Sequence, residues 1–262
     1  MTRPKIVFFD IDDTLFDKNK SLPDSTVEAI SELQRRGVIT AIATGRTPVM
    51  FAELRKQLNI HTYVSINGAY VVDHDEPVYT NPLPEQPLRA LAAQARKVGW
   101  SFAYESADTI KMDRYIDEKA RLSMDSLQLP MPFPETDEHF LDHHDVYQGL
   151  LFYSEKDDAH FLETPPCNIF RYVRWHEFGV DVLPSTGSKA TGIAQLLNTL
   201  NISTREACAF GDGNNDIEML SFVGTGIAMG NAVDAAKQSA DFVTTSVHED
   251  GIYHGLKQIG LL

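Results

Sequence analysis

Four short segments hold most of the side chains in this chain that are able to do chemistry. In Phe8-Phe9-Asp10-Ile11-Asp12-Asp13-Thr14, carboxylates follow abruptly on an apolar run. At an effective dielectric of about 20 and a separation of about 4 Å, two carboxylates repel by roughly 4 kcal/mol. A bound cation removes that repulsion. Mg²⁺ prefers hard oxygen ligands and brings substrate phosphate into its shell, so it suits such a cluster better than zinc. As turn formers and a helix cap the same residues would be ordinary. In Ala43-Thr44-Gly45-Arg46, a hydroxyl, glycine-freed amides and a following helix N-terminus can cradle a phosphate. Alone, that segment reads more simply as a strand-to-helix turn. Ser188-Lys189-Ala190 opens a helix, where a lysine opposes the macrodipole unless an anion lies nearby; a solvated surface lysine is the plainer reading. Phe210-Gly211-Asp212-Gly213-Asn214-Asn215-Asp216 again sets acids at the end of an apolar strand, with glycines that let the backbone approach a metal. A glycine-rich turn with an Asp cap explains it alone, but explains the four segments together poorly.

The elements that must position these residues alternate in kind. Buried strands are expected at 6–11, 38–43, 63–66, 207–210, 226–229 and 242–244. Between them Val27, Ile30 and Leu33 repeat at helical spacing up to Gly37; Val49, Leu54 and Leu58 do so after Pro48; Ile193, Leu196, Leu197 and Leu200 do so again. Strands buried on both faces and separated by helices make an α/β protein with a parallel sheet and crossover helices. The rhythm breaks near Pro82. From there the text is richer in aromatics, prolines and acids, with a helix expected at 88–98, strands at 101–104, 149–153 and 181–183, and a loop at 129–134. The expected division is a core of 1–82 and 187–262 with an inserted α+β domain of 83–186.

The full sequence has 262 residues, a formal net charge of −14 and two cysteines, Cys167 and Cys208. The acidic balance argues against nucleic acid or an anionic membrane as partner, so an anionic ligand must be captured locally. Unpaired cysteines, and an N-terminus (Met1 to Lys5) leading straight into the Asp10 run, fit a cytoplasmic protein without signal peptide or membrane span. His139, His143 and His144, mixed with Asp142 and Asp145, resemble a metal cluster, and a helix would set His139 and His143 on one face. No glutamate completes a zinc motif, so this segment is read as a solvated polar face. Trp100, Trp175, Phe133, Phe152 and Tyr153 are read as packing rather than a ligand box.

Asp10-x-Asp12-x-Thr14, then Thr44, Lys189 and Gly211-Asp212-x-x-Asn215-Asp216, in that order, resemble the four motifs of the haloacid dehalogenase superfamily. Asn67-Gly68-Ala69 and Gly179-Val180-Asp181-Val182-Leu183-Pro184 resemble its Cof-type phosphatases with a class IIB cap. Asp13 stands where that family often has glycine. The resemblance implies a Rossmann-like three-layer core with a central parallel sheet, and a cap that selects substrate and sheds water. It makes Asp10 the nucleophile and Asp12 the general acid and base. It gives Mg²⁺ the Asp10 carboxylate, the Asp12 backbone carbonyl and Asp212, with Asp216 as a direct or water-mediated ligand. Thr44, Gly45, Lys189 and Asn215 would bind the phosphoryl group, and Arg46, Asn67, Gly68, His176 and Glu177 are candidates for substrate contact. The implied activity is Mg²⁺-dependent hydrolysis of a small phosphorylated metabolite, a sugar phosphate first and a phosphorylated cofactor next, with no obligatory protein partner. A phosphomutase, a phosphoacceptor that does not turn over, and a non-catalytic binding protein are the alternatives. Isomerised product without free phosphate would mark the first of these.

Overall fold

A computed structural model describes residues 3–127, 131–163 and 168–262. Met1 and Thr2, residues 129 and 130 of the expected 129–134 loop, and Cys167 lie outside them. In chain order the elements begin with β1 (Ile6–Phe9), α1 (Asp24–Arg35), β2 (Ile39–Ala43), α2 (Ala52–Leu58), β3 (Thr62–Ser65), β4 (Tyr70–Asp73) and β5 (Glu76–Thr80). There follow α3 (Glu85–Lys97), β6 (Ser101–Glu105), β7 (Ile110–Met112), α4 (Glu118–Ser126), β8 (Gln148–Phe152), α5 (Asp158–Glu163), β9 (Phe170–His176) and β10 (Gly179–Pro184). The chain ends through α6 (Lys189–Leu200), β11 (Ala207–Gly211), α7 (Ile217–Phe222), β12 (Thr225–Ala228), α8 (Asp234–Ser239), β13 (Phe242–Val243) and α9 (Gly251–Gln258). Two compact units emerge: Met1–Arg46, Ala52–Thr80 and Ser188–Leu262 form the first, Thr47–Phe51 and Asn81–Gly187 the second. The short Thr47–Phe51 segment, expected in the core, groups with the second unit.

In the first unit one sheet has the order β13-β12-β11-β1-β2-β3-β4-β5. All pairings from β13 to β3 are parallel, and helices flank the sheet as two packed groups, α1 with α2 and α9, and α6 with α7 and α8. Ile6, Val7, Phe8 and Phe9 are wholly buried because β1 has a strand on each edge and cover on both faces, which is why the run is continuously apolar. Helix α1 buries Thr26, Ala29, Ile30 and Leu33 and ends before Gly37, whose φ of 75° stops it in the left-handed region.

Two expectations for this sheet need correction. Strand β13 is not buried: it is a two-residue edge strand with Val243 44% exposed. The sheet is also not wholly parallel, since β4 and β5 add an antiparallel hairpin. Its turn sets His74 and Asp75 at φ 50° and 65° without any glycine, so the usual hairpin signature is missing from the sequence.

The second unit is a five-stranded antiparallel sheet ordered β7-β6-β8-β10-β9. Leu88, Leu91 and Ala95 of α3 pack with Phe102, Tyr104, Leu151, Val180 and Val182 on one face. Met50, Ala120 and Met124 pack with Ala103, Met112, Leu150 and Phe152 on the other. Strand β9 went unanticipated because Arg171 and Arg174, three residues apart, break the alternation of polar and apolar residues along a half-buried edge. Trp100 stacks on Tyr153 at 4.4 Å, in line with a packing role. The histidine segment forms only a short 3₁₀ turn, Phe140–Asp142, flanked by His139 and His143, so the helical face does not form. His139 bonds Asp142 at 3.2 Å and Asp142 pairs with Arg89 at 2.6 Å.

An internal ion pair ties β9 to α5. Arg174 donates to both oxygens of Asp158 at 2.8 and 2.6 Å, Tyr153 Oη donates at 2.8 Å, and the guanidinium lies 4.6 Å over the Tyr153 ring. The Arg174 bonds hold Asp158 below the usual carboxylate range. A depressed carboxyl contributes stability above its unfolded pKa that is lost as pH falls through its folded pKa. Asp158→Asn should therefore lower the melting temperature at pH 7, and the gap from wild type should close as pH falls below about 4. Thermal melts across that range check it.

Candidate active site

Strand order reverses beside β1: the chain runs from β1 through β2 and β3 to one side, and from β11 through β12 to β13 on the other. Ligand sites of open parallel sheets lie outside the C-terminal strand ends at this switch point. Asp10 follows β1, Thr44 follows β2, and Asp212 follows β11. The Asp10 N–H continues the ladder onto Phe210 O at 3.0 Å. The chain then curls at once, with Leu15 N–H on Asp10 O at 3.3 Å, Phe16 N–H on Ile11 O at 2.8 Å, and Asp13 left-handed at φ 55°. Thr14 Oγ1 donates to Asp212 Oδ1 at 2.9 Å, joining the loops after β1 and β11.

Lys189 is the first residue of α6, whose Ser188 cap accepts the Thr191 N–H. Its side chain is 0% exposed, and Nζ lies 2.5 Å from Asp10 Oδ1 and 2.6 Å from Asp216 Oδ1. A lysine that opposes the helix dipole thus has two buried carboxylates to meet. Burial pulls its pKa down, but Asp10 and Asp216 outweigh burial and leave it above the usual lysine range. The other Asp216 oxygen accepts the Asp212 and Gly213 N–H groups, both at 2.9 Å.

One ammonium does not balance three carboxylates. Burial pushes the Asp10 carboxyl well above its ordinary pKa; Lys189 draws it back, while Asp216, Asp212 and Asp12 add to the rise. Asp212 is pushed up to about 7, by burial first and Asp216 second. Asp10, Asp212 and Asp216 each offer an oxygen within 4.8 Å of the others, and among the described residues no other group of three acids, histidines or cysteines does so. An all-oxygen donor set with surplus buried negative charge fits a hard divalent cation.

Asp12 faces a different environment. Arg46 donates Nε to Oδ2 at 2.8 Å and Nη2 to Oδ1 at 2.6 Å, and Lys20 Nζ donates to Oδ1 at 2.6 Å. Burial raises its pKa, but the bonds and charges of Arg46 and Lys20 outweigh that and hold it below the ordinary value.

The loops after β2 and β3 are stitched together. Thr44 Oγ1 accepts the Arg46 N–H at 3.1 Å, Thr44 O accepts the Asn67 N–H at 3.1 Å, and Arg46 O accepts the Ile66 N–H at 3.1 Å. These bonds hold three successive left-handed residues, Ile66, Asn67 and Gly68, at φ 51°, 47° and 91°. For β-branched Ile66 that conformation is strained. A Cβ at Gly68 would come 2.0 Å from Ser188 O, so glycine there lets the turn approach the start of α6. Asn215 Nδ2 reaches Asn67 Oδ1 at 3.3 Å, and a Cβ at Gly45 would lie 3.1 Å from the Asn67 amide.

The structure thus brings Asp10, Asp12, Thr44, Gly45, Arg46, Asn67, Gly68, Lys189, Asp212, Asn215 and Asp216 to one end of the first unit's sheet. His176 and Glu177 lie in the second unit, at the β9–β10 turn. His176 Nδ1 accepts the Phe178 N–H at 3.1 Å and lies 3.0 Å from Ser123 Oγ, while Glu177 O accepts from Arg174. Two neighbours of the site escaped sequence reasoning. Lys20 pairs with Asp12, and Asn231 donates to Asp13 O at 2.7 Å while accepting the Val247 N–H at 2.9 Å. A polar residue directly after the buried β12 run, in Met229-Gly230-Asn231, was the available signal for the second.

A mostly parallel sheet with a buried lysine among carboxylates at its switch point makes this an α/β protein whose acidic cluster stands where such folds place their ligands. The profile of the haloacid dehalogenase-like hydrolases matches residues 7–256, and the chain belongs to that family. It is similar to YkrA of Bacillus subtilis (strain 168), 40% identical over 258 residues covering 98% of each chain. Among solved structures it resembles a protein from Geobacillus kaustophilus HTA426, with 46% identity, TM-score 0.93, and 99% and 100% of the two chains covered. It also resembles the subclass IIB sugar phosphatase BT4131, with 30% identity, TM-score 0.85, and 98% and 100% covered.

Lys189→Met keeps the side-chain length but leaves Asp10 and Asp216 buried without their cation. Breaking a buried pair from one side costs about 3–5 kcal/mol. Urea denaturation in EDTA should show a loss of that size; an unchanged midpoint would mean that the ammonium does not hold the site together.

Proposed function

We propose that this hydrolase is a phosphatase that removes phosphate from a small phosphorylated metabolite through an aspartyl-phosphate at Asp10. The observation that carries the reading is the Asp10 carboxylate itself, set at the end of the central strand and oriented by buried Lys189 beside Asp212 and Asp216. An Asp10 oxygen attacks phosphorus in line, forming an O–P bond as the ester O–P bond breaks. Asp12 gives the leaving oxygen a proton, then takes one from the water that attacks phosphorus, freeing inorganic phosphate and Asp10. Arg46 and Lys20 must release the Asp12 carboxylate before it can carry a proton, and an arriving phosphate dianion competes for both cations. Thr44, the Gly45 amide, Lys189 and Asn215 hold the phosphoryl oxygens, where charge stabilisation matters most. Arg46, Asn67 and Gly68 border the substrate from the first unit.

Mg²⁺ would be held by Asp10, Asp212 and the Asp12 main-chain carbonyl. Asp216 would act through bound water, because its oxygens already serve Lys189 and two backbone N–H groups. The ion's contribution is to offset the surplus carboxylate charge and that of the phosphoryl group. The second unit is the proposed specificity cap, with His176 and Glu177 as substrate candidates. A sugar phosphate is the preferred substrate class, as BT4131's designation as a sugar phosphatase supports; phosphorylated cofactors come next.

The test is phosphate release from sugar phosphates, nucleotides and phosphorylated cofactors, with Mg²⁺ and with EDTA. Asp10→Asn is isosteric but cannot attack, and its kcat should fall by a factor on the order of 10⁴ or more, the scale seen when a covalent nucleophile is removed. Comparable turnover in pure variant protein would sink the assignment.

A further inference from the structure

The turn that carries Asp12 is tied on both sides. Asp10 O and Ile11 O accept from the Leu15 and Phe16 N–H groups before it, and after it Asp13 stands left-handed at φ 55°. A residue with a Cβ pays for that conformation, although aspartate tolerates it better than most. Asp13 O is met from outside the turn, by Asn231 Nδ2 at 2.7 Å. Peptide units are rigid planes, so holding the Asp13 carbonyl with Asp13 left-handed also fixes the Asp12–Asp13 peptide. The direction of the Asp12 main-chain carbonyl follows from that plane.

Asn231 is itself placed by main-chain bonds in the loop after β12. Gly230 N–H donates to Thr245 O at 3.0 Å, Ala232 N–H to Met229 O at 2.9 Å and Val233 N–H to Asp212 O at 2.9 Å. A Cβ on Gly230 would come 2.6 Å from Ser246 N, so glycine there lets the two loops meet. The Asn231 amide then has one workable orientation. Its Oδ1 accepts the Val247 N–H at 2.9 Å, and with the oxygen on a donor the NH₂ must face an acceptor, which is Asp13 O. Val247 opens a 3₁₀ turn whose Ser246 cap is closed by Glu249, so that donor is fixed as well. An asparagine needed only for its own turn would bond within a few residues. These two bonds reach across 218 and 16 positions.

We propose that Asn231 is a positioning residue: its amide holds the Asp13 carbonyl, and through it the Asp12–Asp13 peptide, so that the Asp12 main-chain carbonyl faces Mg²⁺ and the Asp12 side chain faces the leaving oxygen. The inference deepens the phosphatase reading and rests on it for the identity of the ion and the role of Asp12. Groups that orient a metal's ligands matter about 10- to 100-fold in metal affinity or activity.

The test compares wild type with Asn231→Asp and Asn231→Ala. Asn231→Asp keeps an oxygen for the Val247 N–H and loses only the donor to Asp13 O. Its added negative charge would by itself strengthen cation binding, so any weakening comes from the lost donor. Melting temperature is followed as Mg²⁺ is titrated from an EDTA-treated sample, a readout that needs no turnover. Both variants should need about tenfold more Mg²⁺ than wild type for half of the full rise. An unchanged Mg²⁺ requirement overturns the proposal, and a lower melt in EDTA beside it would make Asn231 a plain tie between loops. A wild type whose melt ignores Mg²⁺ overturns it too, whatever the esters show. At saturating Mg²⁺, the kcat/KM ratio of an alkyl phosphate to p-nitrophenyl phosphate should fall about tenfold in both variants, because only the alkoxide leaving group depends on a well-placed acid. An unaltered ratio would overturn the side-chain part of the proposal. If Mg²⁺ raises the wild-type melt but no ester is hydrolysed, the phosphatase reading fails by itself, and the titration still decides Asn231.

Discussion

The first unit is organised around one buried ammonium. Lys189 reaches Asp10 and Asp216 with no solvent to share the charge, so its position fixes theirs. Three separate stretches meet there: the end of β1, the loop after β11 and the first turn of α6. Each has a structural reason to be where it is. The β1 run is buried on both faces, the β11 loop is tied by the Asp212 and Gly213 N–H groups to Asp216, and α6 starts at a capped Ser188. A buried ion pair is a weak source of net stability, because desolvation offsets most of the attraction. Its value here is positional: it holds the Asp10 carboxylate in a dry setting, where an oriented charge acts more strongly than in water.

Backbone strain supports the same arrangement. Ile66 holds a left-handed conformation that a β-branched residue resists, and main-chain bonds from the Thr44–Arg46 segment keep it there. The strained turn lets Gly68 approach Ser188, sets Asn67 beside Asn215, and so joins the loops after β2, β3 and β11 with the start of α6. Asp12 completes the contrast between neighbouring acids. Burial with other acids raises the Asp10 carboxyl, whereas Arg46 and Lys20 hold Asp12 low, so the two neighbouring carboxyls sit in opposite electrostatic settings.

Much of this was legible from residue types alone. Central strands such as β1 and β11 announce themselves as unbroken apolar runs because both faces are covered, and the acids closing those runs mark the site. What escaped did so for local physical reasons. The β4–β5 turn uses His74 and Asp75 where glycine would have flagged it, and β9 is a half-buried edge whose charged residues hide its alternation; β13 was expected as a strand, but at two residues on the sheet edge it is not buried. Lys20 and Asn231 act through the folded loops after β1 and β12, which no spacing along the chain reveals.

The most direct test of the central claim is to capture the covalent intermediate. The enzyme would be mixed with a substrate it turns over and quenched in acid within a single turnover, and the site of phosphorylation mapped by peptide mass spectrometry. The account predicts a phosphoryl group on Asp10 that vanishes as turnover completes. Phosphate carried on another residue would contradict the assignment of Asp10 as the nucleophile, as would rapid turnover with no protein-bound phosphate at any quench time.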